Sequence, residues 1–225
     1  MTAMLEKMGE FFDKRLSGYD EHMLTEIESA NEFYPYTAEL LPKKNGAKVL
    51  DLGCGTGLEL EEYFKINDGA SVVGIDLAPG MLGALKKKLG DRDIKLILGS
   101  YFEVDLGEGI FDAAVSVESL HHFTKEEKIP LYGKLYKALK DGGYFILTDY
   151  FAESDEEENG FRQELIRLKN EENTASDELY HFDTPLTVAH ECEALHEAGF
   201  ERIDVLKSWG ATYTIRASRG KKELT

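Results

Sequence analysis

Three glycines in VLDLGCGTGLELEEY (49–63), at Gly53, Gly55 and Gly57, follow Asp51 to give D-x-G-x-G-x-G. A turn so poor in side chains, set between an apolar run and an acidic helical one, lets a ligand approach backbone N–H groups at a helix N-terminus. The dinucleotide pattern G-x-G-x-x-G wants its third glycine at position 58, which is leucine here. Asp76 closes the next apolar run, about 20 residues beyond the glycines, the spacing at which a carboxylate meets ribose hydroxyls.

Two other groupings could carry polar chemistry. Glu118, His121 and His122 follow directly on the apolar run FDAAVSV (111–117), and His181 and Asp183 lie in YHFDTPLT (180–187). A histidine oriented by an aspartate is a base near neutral pH, although His-x-Asp before a helix equally serves as a turn bonding its own backbone. His190, Cys192 and His196 are spaced by two and six residues, which does not gather three ligands on one helix face, so no metal site is expected. Cys54 reads as a small packed side chain, and the G-x-S-x-G elbow of a serine hydrolase is missing.

These residues need a scaffold, and from about residue 49 short apolar runs alternate with longer amphipathic ones, the pattern of crossover units feeding a parallel sheet. Strands are expected at 48–53, 71–77, 94–99, 111–117 and 144–150. Helices are expected at LELEEYFKI, APGMLGALKKKL and TKEEKIPLYGKLYKALK, with Leu131, Leu135 and Leu139 facing the sheet and Gly142 and Gly143 stopping the last helix. Thr184 and Pro185 then read as the cap and first turn of a helix through LTVAHECEALHEA, which Gly199 ends. Only Gly210 separates FERIDVLKSW (200–209) from ATYTIRAS (211–218), which permits a hairpin and excludes a helical crossover. The expected fold is α/β, a Rossmann-like doubly wound sheet of seven strands with the last strand antiparallel and helices on both faces.

The composition, 42% hydrophobic and 31% charged over 225 residues, is that of a globular protein with one substantial core. A formal charge of -17 makes nucleic acid and anionic membranes poor partners, much of it lying in blocks such as ESDEEEN that read as solvated faces. No apolar stretch reaches the length of a membrane span, the N-terminus lacks the pattern of a signal peptide, and two cysteines suggest no disulfide scaffold. A cytoplasmic location is the simplest expectation. Residues 1–45 read as an N-terminal helical lid, 46–225 as the main domain, and 151–183 as an acidic insertion covering the site; the alternative for either segment is a plain cap on the sheet edge.

The chain resembles the class I S-adenosylmethionine-dependent methyltransferases over roughly residues 45–218. VLDLGCGTG matches the family's first motif nearly letter for letter, GIDLAPGML resembles its second, and FDAAVSVESLHHF its fourth-strand segment. The resemblance implies S-adenosyl-L-methionine as cofactor. Backbone around Gly53, Gly55 and Gly57 would hold its methionine part, with Asp51 supporting the ammonium through the turn. Asp76 would hold the ribose, Leu77 and Met81 would flank the adenine, and Ser100 with Tyr101 would meet its polar edge. Ser100 replaces an aspartate common in relatives and should bond the exocyclic amine more weakly. FFDKRLSGYDEHM resembles the lid of relatives that methylate small molecules, which puts Tyr19 against the cofactor, and Glu118 stands near the reactive methyl.

Methyl transfer from a sulfonium chiefly needs alignment in a dry pocket, so a general base is optional and the acceptor is hard to read from sequence. His181, Asp183 and His122 are the catalytic candidates. The expectation is a methyltransferase acting on a small molecule, with oxygen, nitrogen, sulfur and carbon acceptors all open. The rivals are an enzyme that modifies S-adenosylmethionine itself or serves a tRNA pathway, a non-catalytic cofactor-binding module and, well behind, a nicotinamide oxidoreductase. The oligomeric state is not legible.

Overall fold

The computed structural model describes residues 5–174 and 178–220. In chain order the elements are β1 (Glu6–Lys7), α1 (Met8–Arg15), α2 (Tyr19–Glu26), α3 (Ala30–Glu39), β2 (Lys48–Leu52), α4 (Leu58–Ile66), β3 (Ser71–Asp76), α5 (Pro79–Leu89), β4 (Ile94–Leu98) and β5 (Phe111–Val117). A single 3-10 turn (Leu120–His122) follows, then α6 (Lys125–Ala138), β6 (Leu139–Tyr150), α7 (Asp155–Glu172), β7 (Tyr180–His181), α8 (Val188–Glu197), β8 (Arg202–Trp209) and β9 (Thr212–Ser218).

Seven strands form one sheet in the order β4-β3-β2-β5-β6-β9-β8, and β9 runs antiparallel to both its neighbours. The central strands are apolar at successive residues because both faces are covered. From β2, Leu50 and Leu52 join a layer with Leu131 and Leu135 of α6 and Leu195 of α8. Val49 faces the opposite layer, with Leu60 and Tyr63 of α4 and Leu85 of α5. Parallel pairing brings the carboxyl ends of β2, β3, β5 and β6 to one edge of the sheet, which is where Gly53, Asp76, Glu118 and Asp149 arrive. Among the described residues no helix is long and apolar enough to cross a membrane.

Three local expectations need correction. The helix expected to run past Leu139 stops at Ala138, and Leu139 opens β6 opposite Phe111. The pairing then shifts, with Ala113 opposite Tyr144, so Gly142 and Gly143 lie in an irregularity inside the strand and do not end a helix. The helix of the tail is capped by Thr187, whose side chain accepts the His190 N–H, whereas Thr184 stays outside it with its hydroxyl buried.

The first residues are helical as expected but begin with a short strand. β1 pairs antiparallel with β7, Glu6 opposite His181 and Lys7 opposite Tyr180, and so joins the N-terminal segment to the end of the acidic segment. Within that segment α7 starts at Ser154, whose side chain accepts the Glu157 N–H at 3.2 Å. Asp13 of α1 accepts the Gly80 N–H at the start of α5 at 2.8 Å, and Asp20 of α2 accepts the Thr56 hydroxyl at 2.5 Å and pairs with Lys88 at 2.7 Å. These contacts hold α1 and α2 over the carboxyl edge of the sheet.

Candidate functional site

Two cavities meet beneath α1 and α2. The smaller, about 50 Å³, is lined by Gly53, Gly55, Asp76, Leu77, Met81, Tyr101, Glu118, Ser119 and Val117, and by Met8, Phe12, Tyr19 and His122. The larger, about 690 Å³, is lined mainly by Phe11, Phe12, Arg15 and Tyr19 from the N-terminal helices and by Glu118, His121, His122, Tyr150, His181 and Asp183. Phe12, Tyr19, Glu118 and His122 belong to both linings.

The small cavity is made by the glycine turn. Gly53, Gly55 and Gly57 all have positive φ, 76°, 49° and 78°. A Cβ on Gly53 would lie 2.1 Å from Ser119 Oγ, so even the smallest side chain would fill the cradle. Asp76 holds the turn in place: its Oδ2 accepts the Gly55 N–H and its Oδ1 the Ala78 N–H, each at 2.8 Å. Burial pushes the Asp76 carboxyl upward against the pull of those two N–H groups. Behind the turn Asp51 is fully buried, and neither of its oxygens has a partner. Burial, with the neighbouring Glu59 next, raises its carboxyl well above the usual range. An ammonium group brought beneath the bare backbone turn would restore the charge of this buried acid beside Glu59, so the donor set fits the cofactor implied by the motifs. The space is tight, since ligand pockets run from about 300 Å³ upward and this one measures about 50 Å³. Phe12, Tyr19 and Tyr101 close it.

Of the residues singled out for the cofactor, Tyr19, Gly53, Gly55, Asp76, Leu77, Met81, Tyr101 and Glu118 line this cavity. Asp51, Gly57 and Ser100 do not. Gly57 caps α4, and Ser100 Oγ accepts the Phe102 N–H of its own turn at 3.2 Å. The Tyr101 hydroxyl stands 3.3 Å from Ser119 Oγ.

The large cavity has a wall of titratable groups. Glu118 holds it from a left-handed backbone, φ 48°, at the end of β5. Burial first, then the charges of Asp149 and Asp183, push its carboxyl up to about 8, despite the opposing pull of His121. His121 Nδ1 lies 2.5 Å from Asp149 Oδ1. Burial disfavours its charged form, but Asp149, Glu118 and Asp183 together outweigh burial and raise it to about 9. His122 is lowered to about 4 by burial and by its charged neighbour His121, so it is neutral at pH 7. Asp183 is half-exposed and lies 2.9 Å from His122 Nδ1 and 3.7 Å from His121 Nε2; although burial opposes it, these histidines hold its carboxyl below the usual range.

The His181–Asp183 pair suggested by the sequence does not form. Among the described residues Asp183 turns to His122 and His121, while His181 stacks on Phe11 with ring centroids 3.4 Å apart and planes within 8°. Burial lowers the His181 imidazole. Arg15 covers the same Phe11 ring at 3.5 Å and is paired with Glu6 at 3.0 Å. Asp149, Tyr150, Phe12 and Met8 were not singled out. For Asp149 a signal existed: it ends YFILTDY and therefore shares the carboxyl edge with Asp76 and Glu118.

Residues 50–147 match a family described as "Methyltransferase domain". Sterol 24-C-methyltransferase ERG6B of Gibberella zeae is 28% identical over 200 residues, 87% of this chain and 46% of that protein. The chain spans less than half the length of this and the other fungal sterol methyltransferases that it matches. Carboxy-S-adenosyl-L-methionine synthase of Nautilia profundicola is 24% identical over 226 residues and is matched over 95% of both chains. Among solved structures, an O-methyltransferase family protein from Burkholderia thailandensis superposes with a TM-score of 0.72 at 17% identity, covering 96% of this chain and 64% of that one, a likeness of fold.

Proposed function

Because the chain belongs to the class I S-adenosyl-L-methionine-dependent methyltransferases, we propose that it transfers a methyl group to a small-molecule acceptor held in the 690 Å³ cavity. The observation that carries this reading is the shared wall: Phe12, Tyr19, Glu118 and His122 face the glycine turn on one side and the large cavity on the other. A transferred group has only that partition to cross.

The cofactor supplies a sulfonium-activated methyl. The remaining work falls to the chain, which must bind, align and keep water out. Backbone at Gly53 and Gly55 and the buried carboxylate of Asp51 would receive the methionine part, Asp76 the ribose hydroxyls, and Leu77 and Met81 the base. Turning Asp76 to hydroxyls exchanges the N–H bonds it now accepts for charge-assisted O–H bonds of similar strength. Phe11, Phe12 and Tyr19 give the acceptor cavity an apolar body, and His122 with Asp183 gives it one polar end. An acceptor that must shed a proton does so toward that end, where His122 is neutral and Asp183 ionised at pH 7.

Calorimetry with S-adenosylmethionine and its demethylated product tests the cofactor side, and methyl-donor turnover against a metabolite library tests the acceptor. Tight binding with turnover of at least one acceptor is the expected result. Absence of binding to the intact chain would overturn the reading. A second reading, modification of the cofactor itself, draws on the relative matched over 95% of both chains. It predicts a change in the mass of the cofactor when a carboxylate donor replaces the acceptor.

A further inference from the structure

His121, His122 and Asp183 come from two segments far apart in sequence, yet one donor atom of each lies within 4.8 Å of the other two. His122 Nδ1 and Asp183 Oδ1 are 2.9 Å apart, both sealed from solvent, and neither has a hydrogen-bond partner. At that separation the two atoms can share a proton or, once the proton is displaced, an ion. Ligands on one ion with bonds of roughly 2.0–2.2 Å stand about 3–3.5 Å from one another. The two separations from Asp183 Oδ1, 2.9 and 3.7 Å, bracket that spacing.

We propose that His121 Nε2, His122 Nδ1 and Asp183 Oδ1 are the protein ligands of one divalent transition-metal ion, of the zinc or iron(II) class, facing the large cavity. Two imidazoles and one carboxylate suit such ions, whereas magnesium and calcium prefer sites made of oxygens. The supporting residues are already in place. Asp149 Oδ1, 2.5 Å from His121 Nδ1, holds the ring by that nitrogen, so that Nε2 is the one that would give up its proton to an ion. That carboxylate is itself oriented by the N–H groups of Leu120, His121 and Tyr150 at 2.8, 3.0 and 3.0 Å. The Thr184 N–H donates to the His121 carbonyl at 2.7 Å and so locks the segment that delivers Asp183. Three protein ligands leave coordination positions open, and the open side faces the cavity that His121, His122 and Asp183 line. An ion there would take the acceptor's oxygen, nitrogen or sulfur and lower its pKa. That last role rests on the acceptor reading above; binding of the ion does not.

The test uses the full chain, stripped with chelator and titrated with cobalt(II) and then zinc(II), followed by visible absorption. Expected are ligand-field bands that saturate at one equivalent and vanish as zinc replaces cobalt. They should be lost in His121→Ala, His122→Ala and Asp183→Ala, weakened about 10- to 100-fold in affinity in Asp149→Asn, and kept in His190→Ala and His196→Ala. Far-UV circular dichroism and a cooperative urea transition in each variant show that it is folded. A chain that binds the cofactor but no cobalt, or cobalt that survives loss of both His121 and His122, would overturn the proposal. Cobalt binding by a chain that ignores the cofactor would leave the ion site standing and remove the methyltransferase reading instead.

Discussion

On the cofactor side the ligand-facing surface is largely backbone: a glycine turn, two amides on Asp76, and apolar flanks from Leu77 and Met81. On the proposed acceptor side it is side chains, with Glu118, His121, His122 and Asp183 crowded into one wall that Asp149 backs from within the protein. Backbone geometry is set by the fold and changes little with pH. A wall of coupled ionisable groups is set by mutual charge, and removing one member shifts the rest. The two halves should therefore fail in different ways when mutated.

The largest effect is expected on the backbone side. Gly53→Ala must place a Cβ 2.1 Å from Ser119 Oγ at φ 76°, which should cost about 3 kcal/mol or more in unfolding by urea and abolish cofactor binding. Next comes Asp149→Asn, which leaves the buried His121 without its charge partner and should lower stability by about 3 kcal/mol while sparing cofactor affinity. Loss of cofactor binding in that variant would show that the two halves are not separable.

The acceptor wall should also show in a pH series on chelator-treated protein. The His121 pKa in the fold, about 9, lies above the ordinary 6.5. Its contribution is therefore complete below pH 6.5 and is lost as pH rises through about 9. His122, lowered to about 4, acts oppositely and loses its contribution as pH falls from 6.5 toward 4. Wild type minus His121→Gln should thus shrink by at most about 3 kcal/mol from pH 6.5 to 9. Equal pH slopes for the two proteins would contradict the charge arrangement of the wall.

Smaller changes return to the cofactor side. Asp76→Ala removes the acceptor of two amides and should weaken the cofactor by about 2 kcal/mol, roughly thirtyfold, in calorimetry. Ser100→Ala should cost under about 1 kcal/mol in either measurement, because its hydroxyl serves the Phe102 N–H of its own turn. A large drop in affinity would return Ser100 to the adenine edge.

The same contrast explains what could be read from the sequence. The sheet, its antiparallel closing pair and the glycine turn were legible because each is local: alternating apolar runs, a one-glycine connection at Gly210, and D-x-G-x-G-x-G within seven residues. Asp183 was legible as a polar residue but not as the partner of His122, since that contact depends on how residues 178–187 return across the sheet edge. His181 looked paired with Asp183 by spacing alone, and the stack on Phe11 that claims it comes from the far end of the chain. The start of β6 was missed because a pairing shift beside Phe111 admits Gly142 and Gly143 into a strand, where glycines otherwise read as a stop.

The pairing of Glu6 and Lys7 with Tyr180 and His181 makes one door out of two. Lifting α1 off α5 far enough to widen the narrow space at Gly55 pulls on those residue pairs, and with them on the chain that carries Asp183. On the proposed function, reloading the donor and letting go of the methylated product would then be one mechanical event.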